Sequence, residues 1–356
     1  MKPGHGGDPR APSGRSLAAR STSGQQQRGA ALLLAMIILA LVTTVTAGMV
    51  WHQSRAIQIE AAERARAQAA WILNGALDWA RLILREDQRN NRSRANPYDG
   101  LDEPWATPLE EARLSSFLAA DKDNNADSGP EAFISGQIED AQSRFNLRNL
   151  LDDAGKVVPV QLEALKRLCT AAGAPDDTAD RLAAALAGAG AQGTGVARAG
   201  AIGNAGAAAA AAAAADLPLP PQRYADLAWL GVEDSLLQLL RPLLDLLPVR
   251  TPVNLNTAPR EVLLAAIDGL DLGGAQRLLL ARQRKPFEKL DDVKAQLAAD
   301  AVLDSNRASV GTSYFFVAGR LRLEDRVLEE RSLLVRRDGR VDVLRRERQS
   351  FALSPR

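Results

Sequence analysis

The chain is poor in the residues that build most catalytic and metal centres. Its 356 residues include 1 cysteine, Cys169, and 2 histidines, His5 and His52. A lone cysteine forms no intrachain disulfide, and the three residues together offer no structural zinc site. They supply no Ser-His-Asp or Cys-His machinery either, because His5 lies near the start and His52 follows a long apolar run. Aromatics amount to only 4%. There is no excess of either charge, with 44 Lys and Arg against 43 Asp and Glu. That balance removes the overall basic excess of a dedicated nucleic-acid binder, so any such activity would have to be local, and it argues equally against an acidic solvating chain. Much of the 46% hydrophobic content is alanine, so the core should be helix-rich and modest.

What is present is concentrated at one end. Residues 1–28 are rich in Gly, Ser, Pro and Gln and carry Lys2, Arg10, Arg15, Arg20 and Arg28 against the single acid Asp8, the composition of a basic, unfolded leader. The next 21 residues, Ala30 to Val50, carry no charge, enough to cross a hydrocarbon layer of about 30 Å as one helix. The positive flank before it predicts a cytoplasmic N-terminus and a periplasmic remainder. Beyond Val50, apolar residues recur every three or four positions through Ile57, Ala62, Ala65, Ala69, Ile72, Ala76 and Ile83. The pattern predicts a single helix from Ala30 to about Arg85, roughly 84 Å long, greasy all round in its first half and amphipathic in its second.

The junction Gln27-Arg28-Gly29-Ala30-Ala31-Leu32 resembles a type IV prepilin processing site. The resemblance implies that a membrane aspartyl peptidase cuts between Gly29 and Ala30 and that Ala30 is then methylated. Glycine lets a protease approach an extended backbone closely. Most subunits of such filaments carry glutamate at the fifth mature position, where this chain has Leu34. An unpaired charge is costly in an apolar core, so a subunit without it suits the filament tip, where no partner amine need be found.

Three further segments narrow the likeness: Arg85-Glu86-Asp87, Leu101 to Ala106 (LDEPWA) and Ile134 to Leu147 (ISGQIEDAQSRFNL). With them the chain resembles the K subunit of type II secretion, the largest minor pseudopilin, from Gln27 to about Leu151 and again from Val253 onward. The resemblance implies an α+β fold: a long N-terminal helix packed on a pilin-like antiparallel sheet, with a large inserted all-α domain containing a helix-hairpin-helix-like unit. The organisation expected is a leader at 1–29, the long helix at 30–88 with 30–50 in the membrane, and the first part of the pilin-like domain at 89–148. An insertion at 149–306 and C-terminal strands at 307–356 complete it. Implied partners are the I and J minor pseudopilins, the major pseudopilin, the prepilin peptidase, the inner membrane, secreted substrates and the secretin. Two readings from other classes are a membrane-anchored DNA receptor of the competence type and a minor pilin of a type IV pilus.

The strand signals agree with that plan. Phe133 to Ile138, Tyr314 to Val317, Leu321 to Leu323, Ser332 to Val335 and Val341 to Leu344 read as strands, with Asp338-Gly339 a hairpin signal before the last. Within the insertion, helices are expected near Val160 to Ala172, Asp177 to Ala187 and Asp234 to Leu247. Gly188 to Ala215 reads as a flexible Ala/Gly loop. Its formal G-x-G-x-x-G at Gly188 to Gly193 lacks the strand and following helix of a dinucleotide site.

Val253 to Leu264 reads as a helix start capped by Thr257. The continuation through Gly269, Gly273 and Gly274 resembles a helix-hairpin-helix unit. Asp268 and Asp271 stand where a DNA phosphate would sit, which argues against nucleic acid and for a packed helical pair.

Asp121, Asp123, Asn125, Asp127 and Glu131 space oxygen ligands as the first half of an EF-hand loop does, though Ala126 replaces the loop glycine. These residues are the candidate calcium ligands, and calcium the candidate cofactor; family members bind calcium in the small α/β domain. Carboxylate pairs such as Asp102-Glu103 and Asp152-Asp153 read as surface residues, and Arg336-Arg337 and Arg345-Arg346 as solvated strand faces.

Overall fold

The computed structural model describes residues 24–114, 132–199, 219–323 and 326–352. The chain divides after Gln68. Up to that point the described chain is the first part of helix α1 (Gly24–Ser93), and the large apolar residues from Leu32 to Val50 are all exposed. This helix is long and apolar enough to cross a membrane. Its polar hydroxyls are satisfied internally, as the span requires: Thr43 donates to Leu39 O at 2.9 Å and Thr44 to Ala40 O at 2.8 Å. After the apolar run the exposed surface becomes charged, with Glu60–Arg64 and Glu63–Arg66 pairs one turn apart. The helix begins before Ala30 and ends beyond both the Arg85 expected from periodicity and the residue 88 of the expected domain organisation.

From Ala69 onward, α1 presents one buried stripe at three- and four-residue steps: Ala69, Leu73, Leu77, Ala80 and Leu84. It lies on a five-stranded antiparallel sheet built from β1 (Leu109–Arg113), β2 (Ala132–Asp140), β7 (Tyr314–Leu323), β8 (Arg326–Arg337) and β9 (Arg340–Ala352), in the order β1-β2-β7-β8-β9. The sheet is thus one structure interrupted by an insertion, since β2 pairs with β7 from Ala132↔Leu323 to Asp140↔Phe315. The period of two sorts its residues cleanly. Phe315, Val317, Leu334 and Val341 meet α1 and Trp105, whereas Tyr314, Phe316, Leu333 and Val335 pack on the far face with Ala141 and Leu247.

Asp338 and Gly339 take positive φ of 52° and 77° and close the β8–β9 hairpin, as the Asp-Gly pair predicts. Tyr314 to Val317 and Leu321 to Leu323 are one strand rather than two, because Ala318, Gly319 and Arg320 stay in register with β8. The last strand also continues to Ala352.

The inserted helices are α2 (Pro159–Ala171), α3 (Thr178–Ala199), α4 (Asp234–Leu240), α5 (Arg260–Ala266), α6 (Leu272–Arg284) and α7 (Leu290–Lys294). They share one apolar core that runs from Phe145 to Ala308. Two short parallel ladders stitch it: β3 (Phe145–Asn146) with β4 (Leu244–Asp245), and β5 (Val253–Asn254) with β6 (Ala308–Ser309).

Two expectations fail here for local reasons. The helix expected to Leu247 stops at Leu240: Arg241 still has helical backbone, but Pro242 has no N–H to extend the ladder, and the chain turns into β4. The Ala/Gly stretch is helical through Ala199, so Gly188 to Gly193 lies inside α3 and not in a loop. Alanine propensity and the buried Leu182, Leu186 and Ala189 outweigh the cost of the glycines.

Candidate functional site

The buried stripe of α1 changes chemistry at its end: after Leu84 the next inward positions are Asp87 and Asn91. They open a polar joint buried between helix, sheet and insertion. Its centre is Arg336 on β8, 6% exposed, stacked on the Phe315 ring at 4.7 Å and hydrogen-bonded to both Asp87 and Asp99. Asp99 also accepts from Thr312 N at 2.7 Å and from Asn91 Nδ2 at 3.4 Å. Glu103 completes the acid group, accepting from Arg94 Nη1 at 2.9 Å, Trp105 Nε1 at 2.9 Å and Gly100 N at 3.1 Å.

A second arm reaches the insertion. Asn254, fully buried on β5, donates to Asp99 O at 3.0 Å and to Asp140 Oδ2 at 2.8 Å. Asp140 ends β2 and also accepts from Thr257 Oγ1 at 2.5 Å and Gln142 N at 2.7 Å. Gln142 then donates to Pro252 O at 2.9 Å and accepts from Ser313 N at 2.8 Å, so both crossings between sheet and insertion are held by side-chain amides. Satisfied networks of this kind specify a unique arrangement of the parts they join.

The segments that carried the family resemblance therefore converge: Asp87, Glu103, Trp105, Asp140, Asn254 and Thr257 all belong to this joint. Several expectations are corrected by it. Thr257 does not cap the following helix; Pro259 is the N-cap residue, and the Thr257 hydroxyl is turned to Asp140 and Asn254. Glu103 is buried rather than surface, because Trp105 and Arg94 need its oxygens. Arg336 is the pivot of the joint and not a solvated strand residue. Asp99 and Asn91 were not singled out in the sequence at all.

Asp87, Asp99 and Glu103 bring carboxylate oxygens close enough together to suggest a cation site. Arg336 already bridges Asp87 and Asp99, and Arg94 holds Glu103, so guanidinium charge fills the place of a metal. The candidate calcium ligands Asp121, Asp123, Asn125, Asp127 and Glu131 lie outside the described residues.

Three acids against two arginines leave one carboxylate in excess. Burial, reinforced by Glu103, raises Asp87 from 3.8 to about 7 despite Arg336, and burial raises Asp140 to about 6. Between pH 4 and 7 the folded protein holds a proton at Asp87 that the unfolded chain has released, so stability is highest at the acid end of that window and declines as pH rises through 7. Thermal melts should show a loss on the order of 2 kcal/mol from pH 5 to 8. Asp87→Asn should flatten much of that slope, leaving the part due to Asp140, and equal slopes in both proteins would contradict the assignment.

The residues expected to serve processing and assembly sit elsewhere. Gly29, Ala30 and Leu34 lie in α1 and are exposed, with no atom near the position of a Gly29 Cβ. The Gly29–Ala30 bond is helical. His52 is exposed on α1, and Cys169 is buried with its thiol pushed up to about 11 by burial.

In the helix-hairpin-helix-like unit, Asp271 caps α6 by accepting from Gly274 N at 2.6 Å, occupying the amide that would face a phosphate. Asp268 is held by Arg167 at 2.5 Å and Arg307 at 2.6 Å. Gly269 takes φ of 75° with a Cβ position only 2.8 Å from Asp300 O, a packing reason for glycine.

Comparison with known proteins follows the same lines. A family model described as type II secretion system (T2SS), protein K matches residues 253–313, and a second model of the same description matches residues 143–249. The type II secretion system protein K of Pseudomonas aeruginosa is 30% identical over 324 residues, covering 90% of this chain and 92% of that protein. That of Pectobacterium carotovorum subsp. carotovorum is 26% identical over 343 residues, covering 90% and 96%. A chain in the crystal structure of the GspK-GspI-GspJ complex from the enterotoxigenic Escherichia coli type 2 secretion system aligns with a TM-score of 0.55 and 20% identity, covering 81% of this chain and 98% of that one.

Proposed function

The chain belongs to the protein K family of type II secretion systems, minor pseudopilins that serve protein secretion, and from that premise we propose how its parts work. It is a membrane-anchored, single-pass subunit held by the apolar part of α1. Its N-terminus faces the cytoplasm, where the prepilin peptidase cuts between Gly29 and Ala30, and the sheet and insertion lie in the periplasm. The insertion caps the tip of the pseudopilus, which extends below it from the I and J minor pseudopilins and the major pseudopilin. The carrying observation is the buried joint around Arg336 and Asn254, which fixes the insertion to the sheet, as a cap that bears load must be fixed.

No catalytic step is assigned to the chain; its work is assembly. The DNA-receptor reading loses its main support because Asp271 fills the hairpin amide. The type IV pilus reading gives way to the match with protein K over 90% of the chain.

Leu34 supplies the test. Leu34→Glu places a carboxylate in the apolar span at a position proposed to lack a partner amine, at a cost of about 2–3 kcal/mol. Recovery of the tip complex from membranes and secretion by the cell should both fall. Unchanged values of both would remove the argument that Leu34 suits the tip.

A further inference from the structure

Where the end of α1 meets the insertion, the structure leaves a cavity of about 540 Å³, a size that holds small organic ligands. Its charged lining is Arg92 from α1, Arg250 from the loop before β5, and the Arg336 and Asp99 of the joint. Asp99 is already taken by Arg336. Arg250 is tied to Asp153 at 2.6 Å, an exposed pair that solvent weakens. Arg92 has no carboxylate partner among the described residues. The lining therefore holds positive charge in excess, carried by two guanidinium groups at its mouth.

Guanidinium forks suit carboxylates and phosphates alike, and two further features choose between them. The Gln88 side chain lines the cavity, and its Oε1 is buried with no hydrogen-bond partner. An acceptor left in that state calls for an N–H, which a phosphate dianion does not carry. The terminal amide turns about a soft torsion, so it can swing to meet one. Pro97, Val249 and Pro252 add an apolar wall, with Val249 51% exposed, against which a side chain can lie. Carboxylate, N–H and side chain together describe the last residue of a polypeptide. A free amino acid would instead bring an ammonium group into a lining already rich in positive charge.

We infer that this cavity binds the C-terminal residue of a polypeptide, its carboxylate on Arg92 and Arg250, its N–H on Gln88 Oε1 and its side chain against Pro97, Val249 and Pro252. Arg92, Arg250 and Ser313 are exposed at the mouth, so the rest of such a chain leads out to solvent. The site is additional to the assembly role and does not depend on it.

The test titrates full-length protein in detergent micelles with tri-alanine, with its C-terminal amide, and with the depsipeptide whose last N–H is replaced by oxygen, read by saturation-transfer NMR. Alanine and inorganic phosphate are titrated alongside. Tri-alanine should bind saturably, and its amide at least about tenfold more weakly. Arg92→Gln and Arg250→Gln should each weaken tri-alanine about fivefold or more while leaving the melting temperature unchanged, since both side chains are exposed. Wild type should prefer tri-alanine to the depsipeptide, and Gln88→Leu should erase that preference, which a merely disturbed fold would not do selectively. Absence of saturable tri-alanine binding would overturn the inference. So would an amide, alanine or phosphate that binds as tightly as tri-alanine, or a preference that persists in Gln88→Leu.

Discussion

Arg336→Ala is expected to destabilise the folded protein by about 3–5 kcal/mol. The side chain is 6% exposed and donates to Asp87, Asp99 and Thr312 O. Removing it strands two carboxylates that are themselves buried, and Arg94, the other arginine of the joint, is committed to Glu103. The loss should be largest at high pH, because acid protonates Asp87 and relieves part of the repulsion. Pairing it with Asp87→Asn should therefore recover part of the stability. Urea titration at pH 8 measures both, and a loss under about 1 kcal/mol for the single variant would mean that the joint is not the keystone described above.

Trp105→Ala is expected to cost about 3–5 kcal/mol on its own account. Trp105 is 1% exposed, meets Phe315 edge-on with centroids 5.3 Å apart, and fills the space beneath Leu77, Ala80 and Leu84 of α1. Truncation leaves a cavity in the helix-sheet contact and takes one of the donors from Glu103. Trp105→Phe should restore most of the packing but not the hydrogen bond, giving an intermediate loss. Equal stability of Trp105→Ala and wild type in the same urea titration would contradict the packing argument.

Elements set by local pattern were legible in the sequence. The apolar run and its amphipathic continuation give α1, the Asp-Gly pair gives the β8–β9 turn, and separated strand patterns give a sheet with an insertion. The joint was half legible. Asp87, Glu103, Trp105, Asp140 and Asn254 stand in segments that stood out by resemblance, but their meeting depends on pairing of strands far apart in sequence.

Arg336 was misread because Arg336-Arg337 resembles any charged strand end. Counting by twos from the inward Leu334 would have put Arg336 on the helix side, yet only the polar end of the α1 stripe makes that position tolerable for a charge. Thr257 was misread because a threonine before a helix has two uses, capping and tertiary bonding, and the buried Asp140 decides between them. Gly188 to Ala199 was misread as part of a loop because its glycines outweighed its alanines in the pattern, whereas the helix begun at Thr178 continues through it with Ala189 buried beside Leu182 and Leu186.

The most direct test of the account is the N-terminal sequence and intact mass of the protein recovered from membranes that contain or lack prepilin peptidase. The account predicts a mature form beginning at methylated Ala30 when the peptidase is present, and an intact leader when it is absent. A leader retained under both conditions, or cleavage near Gly48 instead, would contradict it.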